Sequence, residues 1–248
     1  MTTWIKAKVI KIKKWNFPLF SITLHANILP FIAGQFAKIG VIHNGKKIQR
    51  AYSYVNSPKE KNLEFYITYV KNGLITKMLY KLNVNDEIMI SKESFGFFTL
   101  KEIPKRKNLL MISTGTAIGP YLSILQDGSD TKKFKKIILI HAVRYKNQFN
   151  YKNIIKKIKK KYKNKFKFQR ITSRKIYKKC LFGRITTLLN NDKIEKSIGI
   201  KINSKNFHVM LCGNPNMLKD TYKILKNKYN LEKHLRKKPG NITMENYW

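Results

Sequence analysis

Leu109-Leu-Met-Ile-Ser-Thr-Gly-Thr-Ala-Ile-Gly-Pro120 decides how this chain folds. The apolar run from Leu109 to Ser113 has the length of a buried strand. The glycines and Pro120 break it, and Tyr121 to Gln126 resume at helical spacing. Strand, glycine-rich turn and helix, in that order, open a nucleotide-binding α/β layer. The turn departs from the dinucleotide fingerprint Gly-x-Gly-x-x-Gly, because Ala117 stands where a second glycine would be, so the motif by itself is weak. Its physics still suits an anion. Gly115 permits close backbone approach, Thr116 offers a hydroxyl, and the amides that start the following helix point at a ligand.

Downstream the alternation continues: a strand over Lys136 to Val143, a helix from about Asn150 to Tyr162, a strand from Lys165 to Ile171, then His208 to Cys212 leading into a helix from Pro215 to about Lys228. This predicts a parallel sheet covered on both faces. In the helix before Tyr162, Ile154, Ile155, Ile158 and Tyr162 share one stripe and lysines take the rest, the pattern of a crossover helix with a solvated face. Val143-Arg144 and Ser173-Arg174 stand at strand ends, and Arg184 follows shortly after. Most cations of this chain are lysine, and only the guanidinium fork bonds a phosphate bidentately, so three arginines at such places mark an anion site. Cys212-Gly-Asn-Pro215 sets another glycine after the last strand.

Upstream the pattern is different. Ile5 to Ile12, Leu19 to His25 and Leu63 to Val70 read as short strands punctuated by Pro, Asn and Gly, with a hairpin turn at Asn44-Gly45 and one helical piece at Leu74 to Leu82. About six strands at this spacing predict a closed antiparallel barrel. Within it, Arg50-Ala51-Tyr52-Ser53 alternates so that Arg50 and Tyr52 share one face while Ala51 and Ser53 share the other. A cation beside an aromatic ring suits a flat anionic ligand. The pattern also changes after Ile103-Pro104, with no low-complexity linker and no internal repeat, so the expected division is residues 1–102 and 103–248.

Composition narrows the possibilities. The hydrophobic share of 43% over 248 residues belongs to a folded globular protein with room for two cores. No apolar run approaches the roughly 20 residues of a membrane helix, and the first residues lack the basic and apolar segments of a secretory signal, so a cytoplasmic protein without a membrane partner is expected. The cysteines, Cys180 and Cys212, are too few and too far apart for a disulfide framework, zinc finger or iron-sulfur site. The histidines show no ligand spacing, so no metal is expected. Redox chemistry would fall to an organic cofactor. Lys plus Arg number 52 against 13 Asp plus Glu, a net charge of +39, which attracts polyanions and admits a basic nucleic-acid-binding protein as a rival reading. The lysines are spread over the whole length rather than clustered, so no specific nucleic acid is expected.

Arg50-x-Tyr52-Ser53, Gly-Thr-x-x-Gly-Pro120, Cys212-Gly213 and the terminal Tyr247-Trp248 together resemble, in order and spacing, the bacterial ferredoxin (flavodoxin) NADP reductases. The resemblance runs from Trp4 to Trp248 and implies a two-domain fold: an antiparallel flavin-binding β-barrel, then a Rossmann-like parallel-sheet NADP-binding domain. It implies FAD held by the Arg50-Ala51-Tyr52-Ser53 strand, with Arg50 on the pyrophosphate, Tyr52 against the ring system and Ser53 near its N5. Further flavin contacts fall on Tyr66, Ile67, Thr68 and Tyr69 and on Leu74, Ile75 and Thr76, with Thr116 reaching over from the second domain. Trp248, beside Tyr247, is implied to stack on the opposite flavin face. Val143, Arg144, Ser173, Arg174 and Arg184 match positions that recognise the 2′-phosphate side of NADP(H), and Asn214 to Asp220 border the same nucleotide. Ser53, Cys212, Glu245 and Trp248 are the candidates nearest the chemistry. The implied activity is electron exchange between NADPH and an acidic carrier, ferredoxin or flavodoxin, by a monomer. A reductase feeding free flavin or another acceptor is the alternative.

Overall fold

The computed structural model describes residues 2–235 and 237–247, which form two compact units. Arg236 and Trp248 lie outside the described residues.

The first unit comprises the chain up to Thr99 together with Gly119–Asp127. Its strands are β1 (Trp4–Lys14), β2 (Leu19–His25), β3 (Phe36–His43), β4 (Lys46–Ser53), β5 (Leu63–Thr68) and β6 (Glu87–Ser91), with helix α1 (Leu74–Lys81) between the last two. They make one antiparallel sheet in the order β4-β3-β6-β1-β2-β5. The sheet's two ends meet at an antiparallel bridge, Tyr54 to Phe65, beside which the Val55 amide donates to the Glu64 carbonyl at 2.9 Å. Alternation does the folding. Ala7 and Val9 in β1, Phe20, Ile22 and Leu24 in β2, and Leu63, Phe65 and Ile67 in β5 fill one core with Ile75 and Leu79 of α1. At the hairpin, Asn44 (φ 48°) and Gly45 (φ 71°) take the left-handed values that the two-residue turn expected between β3 and β4 requires. β5 stops at Thr68, short of the Val70 expected from sequence, because the Val70 amide donates to Thr76 Oγ1 (3.1 Å) at the start of α1 instead of to a strand.

Helix α2 (Gly119–Asp127) belongs with this first unit. Ser123 Oγ donates to Asn56 O (2.7 Å), Gln126 Nε2 to Val55 O (2.8 Å), and Tyr121 meets Phe98 at a ring separation of 5.5 Å.

The second unit takes the remaining residues. It holds β7 (Asn108–Thr114), β8 (Lys136–Val143), α3 (Lys152–Tyr162), β9 (Phe166–Thr172), β10 (Leu181–Phe182), α4 (Ile185–Asn190), α5 (Lys193–Ile198), β11 (Phe207–Gly213), α6 (Pro215–Tyr229) and β12 (Ile242–Asn246). The sheet is parallel throughout, in the order β10-β9-β8-β7-β11-β12. Its central strands β7 and β11 are almost wholly buried, which is why they read as continuous apolar runs rather than alternating ones. α3 begins at Lys152, later than expected, because Tyr151 adopts a left-handed φ of 58°. Only Ile155 and Ile158 of its stripe are fully buried; Ile154 and Tyr162 are half-exposed. Helices α4 and α5 and strand β12 have no counterpart in the sequence reading. Among the described residues, no helix is long and apolar enough to cross a membrane.

Candidate functional site

In the first unit, β4 is an edge strand, and the bridge from Tyr54 to Phe65 brings its Arg50–Ser53 end toward the closing half of β5, Tyr66 to Thr68, with Tyr69 just beyond it. Two stretches separated in sequence are thereby neighbours. Arg50 is exposed, its Nη1 donating to Gln49 O at 2.8 Å, and among the described residues no carboxylate pairs with it. Tyr52 is half-buried; burial pushes its phenol up, with the Arg50 charge opposing, so it stays neutral. Two residues apart on β4, Arg50 and Tyr52 fall on one face of the strand. Ala51 is exposed on the other, Ser53 is buried, and so are Tyr66 and Ile67. Thr68 and Tyr69 are half-exposed, Tyr69 with its ring 5.5 Å from Phe17 and 5.3 Å from Tyr80.

Leu74, Ile75 and Thr76 open α1. Leu74 is exposed, Ile75 sits in the core, and Thr76 Oγ1 donates to Gly73 O (3.1 Å), tying down the first turn. That turn has no acidic side chain, so the partial positive charge of its amides is not neutralised locally. An unpaired guanidinium, an uncompensated helix start and a half-buried tyrosine form a set that fits a dinucleotide with a flat ring, such as FAD.

In the second unit, the strand order reverses between β7 and β11. In open parallel sheets the crevice at the carboxyl ends of such a pair is where ligands bind. Both ends carry glycine. Gly115 (φ 56°) follows β7 in a 3-10 turn that includes the buried Thr116, and Gly213 (φ 152°) ends β11. A side chain at 213 would run into Thr114 Oγ1 and come within 2.8 Å of Met217 Cε, so this backbone position is closed to anything larger. Asn214 caps α6, its Oδ1 accepting from the amides of Asn216 (3.0 Å) and Met217 (3.4 Å), while Asp220 is exposed further along the helix.

The sequence-singled arginines converge. The Ser173 amide donates to the Val143 carbonyl (3.0 Å) and the Arg174 amide to the Arg144 carbonyl (3.1 Å), so these residues extend the β8–β9 ladder side by side. β10 pairs Phe182 with Thr172, which brings Arg184 to the next strand end over, at the residue just before α4. Arg144, Arg174 and Arg184 are all exposed, Val143 is buried and Ser173 half-exposed. Among the described residues no carboxylate pairs with any of the three arginines. Three uncompensated guanidiniums on adjacent strand ends fit a phosphate monoester, the distinguishing group of NADP.

Cys212 and Glu245 are register partners on β11 and β12, and the Tyr247 amide donates to Gly213 O at 3.0 Å, so the tail is tied to the same glycine. Cys212 is fully buried; burial first, then the Glu245 carboxylate, hold its thiol protonated. It can act as a weak donor but not as a nucleophile. Tyr247 is half-exposed, and the stacking role given to Trp248 falls outside the described residues. One residue passed over in the sequence belongs here: His141 of β8, whose Nε2 lies 2.9 Å from Gly115 O. Its signal was a lone polar side chain in the apolar run Lys136–Val143.

Comparison with known proteins agrees with this geometry. Residues 7–97 match the oxidoreductase FAD-binding domain family and residues 111–223 the oxidoreductase NAD-binding domain family. The chain is 55% identical over 249 residues to the flavodoxin/ferredoxin–NADP reductase of Buchnera aphidicola subsp. Baizongia pistaciae, and 45% identical over 248 residues to that of Escherichia coli K12, in both cases over the full length of each chain. A solved ferredoxin NADP+ reductase from Neisseria gonorrhoeae, with bound FAD and NADP, superposes with a TM-score of 0.91 at 29% identity, covering 99% of either chain.

Proposed function

The chain belongs to the flavodoxin/ferredoxin–NADP reductase family, and from that membership we infer that it is an FAD-dependent oxidoreductase exchanging electrons between NADPH and a small one-electron carrier, ferredoxin or flavodoxin. Bound FAD supplies the conversion between a two-electron hydride and single electrons. The protein's own residues bind, orient and exclude water. We assign FAD to residues 1–102 and NADP(H) to residues 103–248. Arg50 and the amides of Leu74, Ile75 and Thr76 hold the flavin pyrophosphate, Tyr52 lies against the ring system with Ser53 at its edge, and Tyr66 to Tyr69 add further flavin contacts. Arg144, Arg174 and Arg184, with Val143 and Ser173, hold the 2′-phosphate, and Asn214 to Asp220 border the same nucleotide.

Gly213 lets the nicotinamide approach the backbone, where Cys212 and Glu245 orient it. A positive field suits an acidic carrier, and we place the enzyme, as a monomer, in the cytoplasm.

The observation that carries this reading is the trio of uncompensated guanidiniums on adjacent strand ends, within a chain related over its full length to enzymes named for NADP. The purified protein is expected to be yellow, with one FAD per chain that NADPH bleaches anaerobically, and then to reduce flavodoxin or ferredoxin. A colourless protein that binds duplex DNA would overturn the reading. Faster turnover with free flavin than with either carrier would assign it to the other-acceptor reductases.

A further inference from the structure

The connection from α6 to β12 doubles back on itself and is closed by one imidazole. The Asn241 and Ile242 amides donate to Glu232 O (2.7 and 3.0 Å), the His234 amide donates to Ile242 O (2.7 Å), and Leu235 and Lys238 exchange backbone bonds at 2.9 and 3.1 Å. Gly240 lies where the two arms pass, and a Cβ there would run into the carbonyl oxygens of Lys233 and Glu232. Its amide donates to a side chain instead of to a carbonyl. The acceptor is His234 Nδ1 at 3.1 Å, while Nε2 of the same ring lies 2.8 Å from Glu102 O, in the segment ahead of β7.

Those two contacts fix the protonation of the ring. A carbonyl only accepts, so Nε2 carries a hydrogen; an amide N–H only donates, so Nδ1 presents its lone pair. His234 is therefore neutral when both bonds are made. A second proton would land on Nδ1 and face the Gly240 N–H, so the Glu102 bond survives protonation and the Gly240 bond does not. The surroundings offer the added charge no compensation. His208 of β11 stands edge-on at 5.8 Å, with Arg106 and Lys133 close enough to act on it. Lys233, Lys237 and Lys238 are exposed on the connection itself, Glu102 turns only its carbonyl to the ring, and the Glu232 carboxylate is engaged by Lys226 of α6 at 3.6 Å. Among the described residues no carboxylate pairs with His234. His208 is buried and held neutral, its pKa pushed down to about 3 by burial and then by the neighbouring cations, so the half-exposed His234 is the ring that meets solvent protons. A closed state that excludes the proton and an open state that accepts it make acid an opening signal.

We propose that His234 is an acid-sensitive latch: neutral, it holds the Gly240 amide and closes the connection into β12; protonated, it lets that amide go. β12 sets Glu245 beside Cys212 and leads to the Tyr247 amide that donates to Gly213 O, so the latch governs how firmly this edge of the sheet is held. It depends on the fold and not on the electron-transfer role. Exchange of the Gly240 amide is followed by NMR on the FAD-loaded protein from about pH 8 to about pH 5, the span in which histidine changes charge, each rate being divided by that of the unstructured chain at the same pH. Protection of Gly240 is expected to fall by about tenfold on acidification, near the upper limit for one neutral hydrogen bond, while the amide of Leu211 in β11 stays protected. His234→Asn sets Oδ1 where Nδ1 accepted and cannot titrate, so its Gly240 protection should be flat with pH. His234→Leu should be poorly protected at every pH, and His208→Phe, which removes the neighbouring ring, should keep the response of the parent. A flat parent, an Asn variant that still responds, a response abolished by His208→Phe, or a loss shared with Leu211 overturns the latch. If the variants do not fold, the His234 ring shifts of the parent decide: Gly240 protection must follow the same titration curve, and a different curve overturns the assignment.

Discussion

Arg174→Gln removes one guanidinium from the trio at the ends of β8, β9 and β10 while keeping the backbone bond from residue 174 to Arg144 O. A hydrogen bond to a charged group contributes about 1.5–3 kcal/mol, which at 1.36 kcal/mol per decade is roughly ten- to 150-fold. Arg174 is exposed, so solvent and salt place the effect near the lower end. The kcat/KM for NADPH is therefore expected to fall by about tenfold, with kcat/KM for NADH nearly unchanged because NADH lacks the phosphate. Steady-state rates with ferricyanide give both constants, and competitive inhibition by 2′-phospho-AMP reports the same contact without hydride transfer. Arg144→Gln should behave alike, and because the two residues adjoin across one ladder, the double variant should lose less than the product of the single losses. Equal losses with NADPH and NADH would refute the assignment, since a general defect of nucleotide binding or folding would then explain them.

Arg50→Ala is expected to release FAD on dilution or gel filtration, because the flavin pyrophosphate would lose its paired cation; a variant that stays as yellow as the parent refutes that role. Gly213→Ala should lower the melting temperature, since a φ of 152° is costly for alanine, about 1–3 kcal/mol, and Thr114 Oγ1 occupies the methyl's place. Carrier reduction should slow as salt rises, exposed charges being screened beyond about 8 Å at physiological ionic strength, while single-turnover reduction of FAD by NADPH should not. Neutralising Arg236, Lys237 and Lys238 together tests whether that cluster docks the carrier; an unchanged carrier rate at low salt excludes it. His141 and His208, both buried and depressed to about 4 and about 3 from 6.5, bind protons more readily unfolded than folded. Stability is thus expected to fall as pH drops from 6.5 toward 4. A melting temperature that is flat across that window removes both from the balance.

Legibility followed locality. β2 and β8 have the bounds read from sequence because their apolar runs are closed by their own punctuation. The site stretches were legible for a related reason: arginines at strand ends and glycines after strands are marked by residue type alone. What escaped was fixed from a distance. Ile185 to Ile198 breaks into α4 and α5 around Asn191 and Asp192, and the end of α4 is secured by Lys228 Nζ, which donates to Leu189 O (2.7 Å) and Asn190 O (2.9 Å) from α6. β12 has little strand character of its own and forms because β11 offers it a parallel partner. The bridge from Tyr54 to Phe65 and the hold of His141 on Gly115 join residues that no periodicity connects.

Helix α2 has a consequence for biosynthesis. It completes the first unit, with Ser123 and Gln126 satisfying the carbonyls of Asn56 and Val55 and Tyr121 covering Phe98, yet it is encoded after β7, the opening strand of the second. A nascent chain halted after residue 102 therefore carries every strand of the antiparallel sheet but leaves those carbonyls and Phe98 uncovered. The first unit can close only once Asp127 has left the ribosome. A gene cut at 102 should yield a half that aggregates, and one cut after 127 would take β7 away from the parallel sheet, so the two nucleotide sites of this chain are inherited as one piece.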